Sequence, residues 1–113
     1  MIEYTVIPSG FLVSGDVDLR QRVIEAIFVP TLIASGELYP QANYDATSAG
    51  FLRIMDTRNV NSQHIHWATG AGSLMVPWPS GVPVSAYVRL EMVCAAGSLQ
   101  TDNRTFTLIT RPR

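Results

Sequence analysis

Lysine is absent from the 113 residues, and all eight basic side chains are arginine. A planar, weakly hydrated guanidinium stacks and bonds bidentately, whereas an ammonium mainly keeps a surface solvated. The bias fits a chain packed against other protein; a GC-rich genome would produce the same bias with no physical purpose. Charge of either sign is sparse, with eight basic against nine acidic residues and a net charge of -1. That balance lacks the broad positive field that drives non-specific nucleic-acid binding, so no nucleic-acid partner is expected. Cys94 is the only cysteine, which excludes an intramolecular disulfide and a cysteine-built zinc site. No uninterrupted apolar run approaches the roughly 20 residues a membrane span needs, so no membrane association is expected. The start, Met1 to Pro8, has no basic region followed by an apolar core of the kind that directs secretion, and synthesis in cytoplasm is expected.

What is present is apolar. Hydrophobic residues make up 47% of the chain and charged ones 15%, too apolar for disorder, and the length suits one domain over 1–113. About a quarter of the residues are Val, Ile or Thr, and Pro or Gly interrupts every helical apolar period. In Ser85 to Cys94, residues Val88, Leu90, Met92 and Cys94 alternate with Tyr87, Arg89, Glu91 and Val93, the period of a strand with one buried face. Arg104 to Thr110 repeats the pattern through Phe106 and Leu108, with Thr105 and Thr107 opposite. The turn-rich link between these segments predicts that they pair as a hairpin or as neighbours in one sheet.

Arg22 to Val29, Gly50 to Met55 and Glu37 to Ala42 are further strand candidates. Asp18 could cap a helix over the first, but β-branched content and the terminating Pro30 favour a strand. Tyr4 to Ile7 and Phe11 to Val13 add a possible strand near the start, with Pro8 confining it to a sheet edge; residues 1–15 would then be an arm or an edge strand. These signals predict an all-β, single-domain antiparallel β-sandwich or jelly roll of about seven to eight strands. Val88, Leu90, Met92, Phe106, Leu108, Leu52 and Ile54 are expected in one core, and Cys94 is expected to be a buried, unreactive thiol.

Catalytic chemistry is not legible. His64 and His66 would share one strand face, as two metal ligands do, with Asp56 as a third, but the pattern lacks a fixed third spacing. Asp16 and Asp18 lack the downstream ligands of a calcium loop. Ser48, Ser73, Ser80 and Ser98 lack a nucleophile-elbow context, and Gly70-Ala-Gly72 has no basic residue within reach to hold a phosphate. No enzyme activity, cofactor or metal is expected. Residues 59–84 hold three glycines, three prolines, both tryptophans and both histidines, and predict a long excursion with local pairing. Within it Trp78, held between Pro77 and Pro79, reads as a core plug, an interface anchor or a platform under a sugar ring. Trp67 reads as core or core edge. The candidate interface is Trp67, Pro77, Trp78, Pro79 and Tyr4.

The order of four segments, Ile27 to Gly36, Tyr44 to Ile54, Tyr87 to Glu91 and Thr101 to Thr110, resembles small β-sandwich virion proteins of tailed bacteriophages, of the head decoration or cement type. The resemblance covers roughly Asp18 to Thr110. It implies a non-enzymatic protein on the capsid surface, a homotrimer bound to the major capsid protein, made in the host cytoplasm and acting by adhesion. Similar folds serve in phage tails, fibres and necks. The competing expectation is a carbohydrate-binding or receptor-binding module with Trp67, Trp78 and Tyr87 as an exposed aromatic row; a small metal-dependent enzyme comes third.

Overall fold

A computed structural model describes residues 1–31, 36–45, 50–56, 63–70, 72–79, 82, 84, 86–94 and 102–113. These residues hold nine strands and no α-helix. In chain order the strands are β1 (Ile2–Ile7), β2 (Val17–Asp18), β3 (Arg22–Val29), β4 (Gly36–Asn43), β5 (Leu52–Arg53), β6 (Trp67–Thr69), β7 (Leu74–Pro77), β8 (Tyr87–Cys94) and β9 (Arg104–Pro112). One sheet runs β1-β9-β3-β7; the other runs β2-β8-β4-β5, with β6 also paired to β4. All pairings are antiparallel.

β5 and β6 share one edge of β4, pairing with its two ends at Gln41–Ala42 and Gly36–Leu38. Counted as one interrupted fifth strand, they make an eight-strand path. Its sheet orders are then first-eighth-third-sixth and second-seventh-fourth-fifth, the arrangement of a jelly roll. Pro40 falls in the gap between β5 and β6, so the residue without an N–H sits where no described residue pairs with that edge of β4.

The core lies between the sheets and follows the period of two. Ile7, Ile27, Leu38, Val88, Leu90, Met92, Phe106 and Leu108 are essentially inaccessible. Cys94 is buried among them, as its alternation requires. The segment after β1 crosses from one sheet to the other. Gly15 N–H donates to the Val6 carbonyl, Thr5 Oγ1 donates to the Gly15 carbonyl at 2.6 Å, and the buried Ser14 both donates its N–H to, and accepts at Oγ from, the Leu90 backbone. This stitching closes one side of the sandwich.

Two expectations are corrected. β8 and β9 do not pair; they lie in opposite sheets, and their buried faces meet across the core. Alternation identifies the buried face of a strand, and two strands on opposite sides of one core carry the same alternation as two neighbours. Leu52 is 72% exposed, while Phe51 beside it is buried and Ile54 is half-buried. Leu52 pairs with Ala42 on the core side of β4 but lines an open cleft at the sheet edge, whereas Phe51 is covered by the Arg89 guanidinium on the outer face. Arg22 to Val29 is a strand, and the N-terminal segment supplies an edge strand, β1.

Candidate functional site

The register fixes which side chains share the outer face of the β1-β9-β3-β7 sheet. One row across all four strands is Ile2, Ile109, Ala26 and Pro77. The next is Tyr4, Thr107, Phe28 and Met75. Val6 and Thr105 begin a third. None of these ten positions carries a charge. Tyr4 is 66% exposed, Ile2 57% and Met75 51%. A β-bulge between Ile24 and Ala26 keeps Ala26 and Phe28 on this face while Ile24 and Ile27 point inward. At one end, beyond Ile109, Arg111 and Glu25 stand 4.0 Å apart and pair with each other. An antiparallel sheet with one face on a core commonly sets charged residues on the other, and this face carries none at these ten positions, of which Tyr4, Thr105 and Thr107 are polar.

The outer face of the second sheet is the opposite in character. Glu91 accepts two hydrogen bonds from Arg53, at 2.7 and 3.1 Å, and a third from the Gln41 amide at 3.0 Å. Gln41 in turn accepts one from Arg89 at 2.6 Å. Arg53 lies 3.8 Å over the Tyr39 ring, and His66 stacks against that ring while bonding Glu37 through Nδ1 at 2.8 Å. The Arg53 guanidinium holds the Glu91 carboxyl below its ordinary range, with the Gln41 amide adding to the effect. Arg20 likewise lowers Asp18 while lying over Tyr87. The network links Arg53, Glu91, Gln41 and Arg89 to one another across three strands and leaves further guanidinium donors open to water.

The expected interface residues divide between two places. Tyr4 and Pro77 stand on opposite edges of the uncharged face. Trp67 lies on the core side of β6, in register with Leu38, and packs half-buried on the core. Trp78 also packs on the core, donates Nε1–H to the Val82 carbonyl at 2.8 Å, and meets Trp67 at a ring separation of 6.1 Å. The two rings close the sandwich between the β6 and β7 edges. Pro79 beside them is half-buried. Tyr87, the third member of the expected aromatic row, is half-buried under Arg20, and none of the three rings is fully exposed.

No group of three or more metal-ligating side chains occurs among the described residues, and His66 is engaged with Glu37. Gly70 and Ser73 lie among the exposed residues, while Ser48, Ser80 and Ser98 lie outside the described ones. Open clefts lie among the described residues. One, of about 420 Å³, is lined by Ala42, Tyr44, Leu52, Val84 and Ala86 among others. Another, of about 330 Å³, lies between β1 and β2; its Glu3 pairs with Arg22, and its Asp18 pairs with Arg20.

The central members of the uncharged face, Thr107, Ile109 and Phe28, were not among the expected site residues. Their signal was present in β9, whose outward positions read Thr105, Thr107, Ile109 where a solvated strand would carry charge. Fold and surface together define a small all-β jelly-roll domain with one uncharged outer sheet face and one internally paired, charged outer face. No family model, curated protein or solved structure matches the chain.

Proposed function

We propose that the chain is a non-enzymatic structural protein of a tailed-phage virion, of the head-decoration type. Copies associate symmetrically, three being the expected number, and the assembly adheres to the major capsid protein on the head surface and stabilises the shell. The observation that carries this reading is the uncharged outer sheet face. A monomer in water gains nothing from ten adjacent outward positions without a charge, whereas a surface buried against protein does. The jelly roll is common to viral shell proteins and lectins, so fold alone does not choose between them. Adhesion needs no reacting group. Area buried at many weak contacts is summed over copies, and linkage within an oligomer raises the effective concentration of each further contact.

The test uses purified protein and heads of the encoding phage that lack it, sedimented together. Saturable binding that raises the temperature at which heads release their DNA is the expected result. A folded protein that fails to bind heads overturns the decoration reading. If that protein instead binds an isolated glycan, the tail or fibre reading replaces it.

A further inference from the structure

The two outer faces differ in the property that decides how copies of this chain can meet. In a symmetric assembly, side chains near the rotation axis face their own counterparts, so a charge there meets an identical charge where water is excluded. The outer face of the β2-β8-β4-β5 sheet carries Glu37, Arg53, Arg89 and Glu91 and meets that penalty. The rows Ile2-Ile109-Ala26-Pro77 and Tyr4-Thr107-Phe28-Met75 do not. A head-to-tail contact, uncharged face on charged face, would strip water from the Arg53–Glu91–Arg89 group and offer its remaining polar atoms no partner. Of the two outer sheet faces, charge matching therefore favours the uncharged one beside the axis.

We propose that the uncharged face of the β1-β9-β3-β7 sheet is the surface through which copies of this chain associate about a rotation axis. This rests on the reading of the protein as a symmetric oligomer and assigns the face to a second copy rather than to the shell. The arginine-bearing face then points away from the axis. Strand and residue spacings give the face about 350 Å² in projection. A stable two-body interface buries about 800 Å² per partner, so the assembly is expected to dissociate on dilution.

The experiment is sedimentation velocity of the full chain at rising concentration, with far-ultraviolet circular dichroism and a melting curve for each variant. Tyr4→Arg and Met75→Arg place a charge at opposite edges of the face, on side chains that are already more than half exposed. Val93→Arg places one on the outer face of the other sheet and is the control. Wild type and Val93→Arg are expected to associate alike, while Tyr4→Arg and Met75→Arg each weaken association at least tenfold; either variant alone, if folded, decides. Association of both face variants at wild-type strength overturns this assignment and leaves the oligomer reading standing, and so does loss of association in Val93→Arg alone. A wild-type chain that stays monomeric at every concentration overturns the oligomer reading and this assignment together.

Discussion

Arginine in this molecule is used against its own rings. Arg20, Arg53 and Arg89 lie over Tyr87, Tyr39 and Phe51 at 4.8, 3.8 and 4.5 Å. A lysine ammonium would keep the charge but lose the flat contact and the two-pronged bond to a carboxylate. Arg53→Lys is therefore expected to lower stability by about 1 kcal/mol, read from denaturant unfolding; an unchanged midpoint would show that the stacked, bidentate geometry contributes nothing. Glu91, the acceptor of that bond, sets an acid limit. Its carboxyl titrates below the ordinary value of 4.5, chiefly because Arg53 bonds it and secondarily because Gln41 does, while burial acts in the other direction. The unfolded chain thus takes up this proton at higher pH than the folded one. The stability from Glu91 is fully present above about pH 4.5 and is lost as pH falls through the lower folded-state value. Melting temperature in wild type should fall below that pH more steeply than in Glu91→Gln, and equal acid slopes would remove Glu91 from the account.

At the level of elements, the long strands were legible and their partners were not. β8 and β9 each alternate over seven or more residues, so a one-residue slip would turn a whole apolar set to solvent, and burial enforces the alternation. Which sheet each joins depends on the connections, and alternation carries no information about that. β5 failed at a shorter range. Phe51 and Leu52 are both apolar and adjacent, so Gly50 to Met55 offers two facings of equal hydrophobicity. The register sets Leu52 beside Ala42 on the core side, at an open edge where it stays exposed, while Arg89 covers Phe51 on the outer face through a contact distant in sequence. Leu52→Ala should accordingly change stability by less than about 0.5 kcal/mol. Leu90→Ala, at a fully buried site, should cost about 2 to 5 kcal/mol, and a Leu52→Ala loss of that size would mean that Leu52 is buried after all. The start of β4 was equally hidden. A methyl group on Gly36 would collide with the Val93 carbonyl oxygen and crowd Cys94, so β4 can approach β8 there only with glycine. Gly36→Ala should destabilise by about 1 to 3 kcal/mol, the usual cost of overpacking. A neutral result in denaturant unfolding would mean that the strand end relaxes away from β8.

For the whole molecule, the two outer faces divide the work between holding and joining. The charged face ties three strands together through Arg53, Glu91, Gln41 and Arg89, and Trp67 and Trp78 close the sandwich on the far side from the β1–β2 stitching. The Trp-rich excursion was legible as unusual, but its rings are drawn onto the core because an open sandwich edge leaves apolar side chains that need a lid. The joining face was the less visible feature, since its ten positions come from four strands far apart in sequence and become contiguous only through the register. Its chemistry sets the salt dependence of any assembly it forms. Ionic contacts weaken as the screening length falls from about 10 Å at about 0.1 M salt to about 3 Å at about 1 M, whereas apolar burial does not. Self-association measured by sedimentation across that range should therefore hold constant or strengthen, with the nearest charges, Arg111 and Glu25, already paired to each other at the margin. A tenfold or greater loss of association in high salt would mean that copies meet through charged side chains, and the joining surface would then have to be sought on the arginine-bearing face.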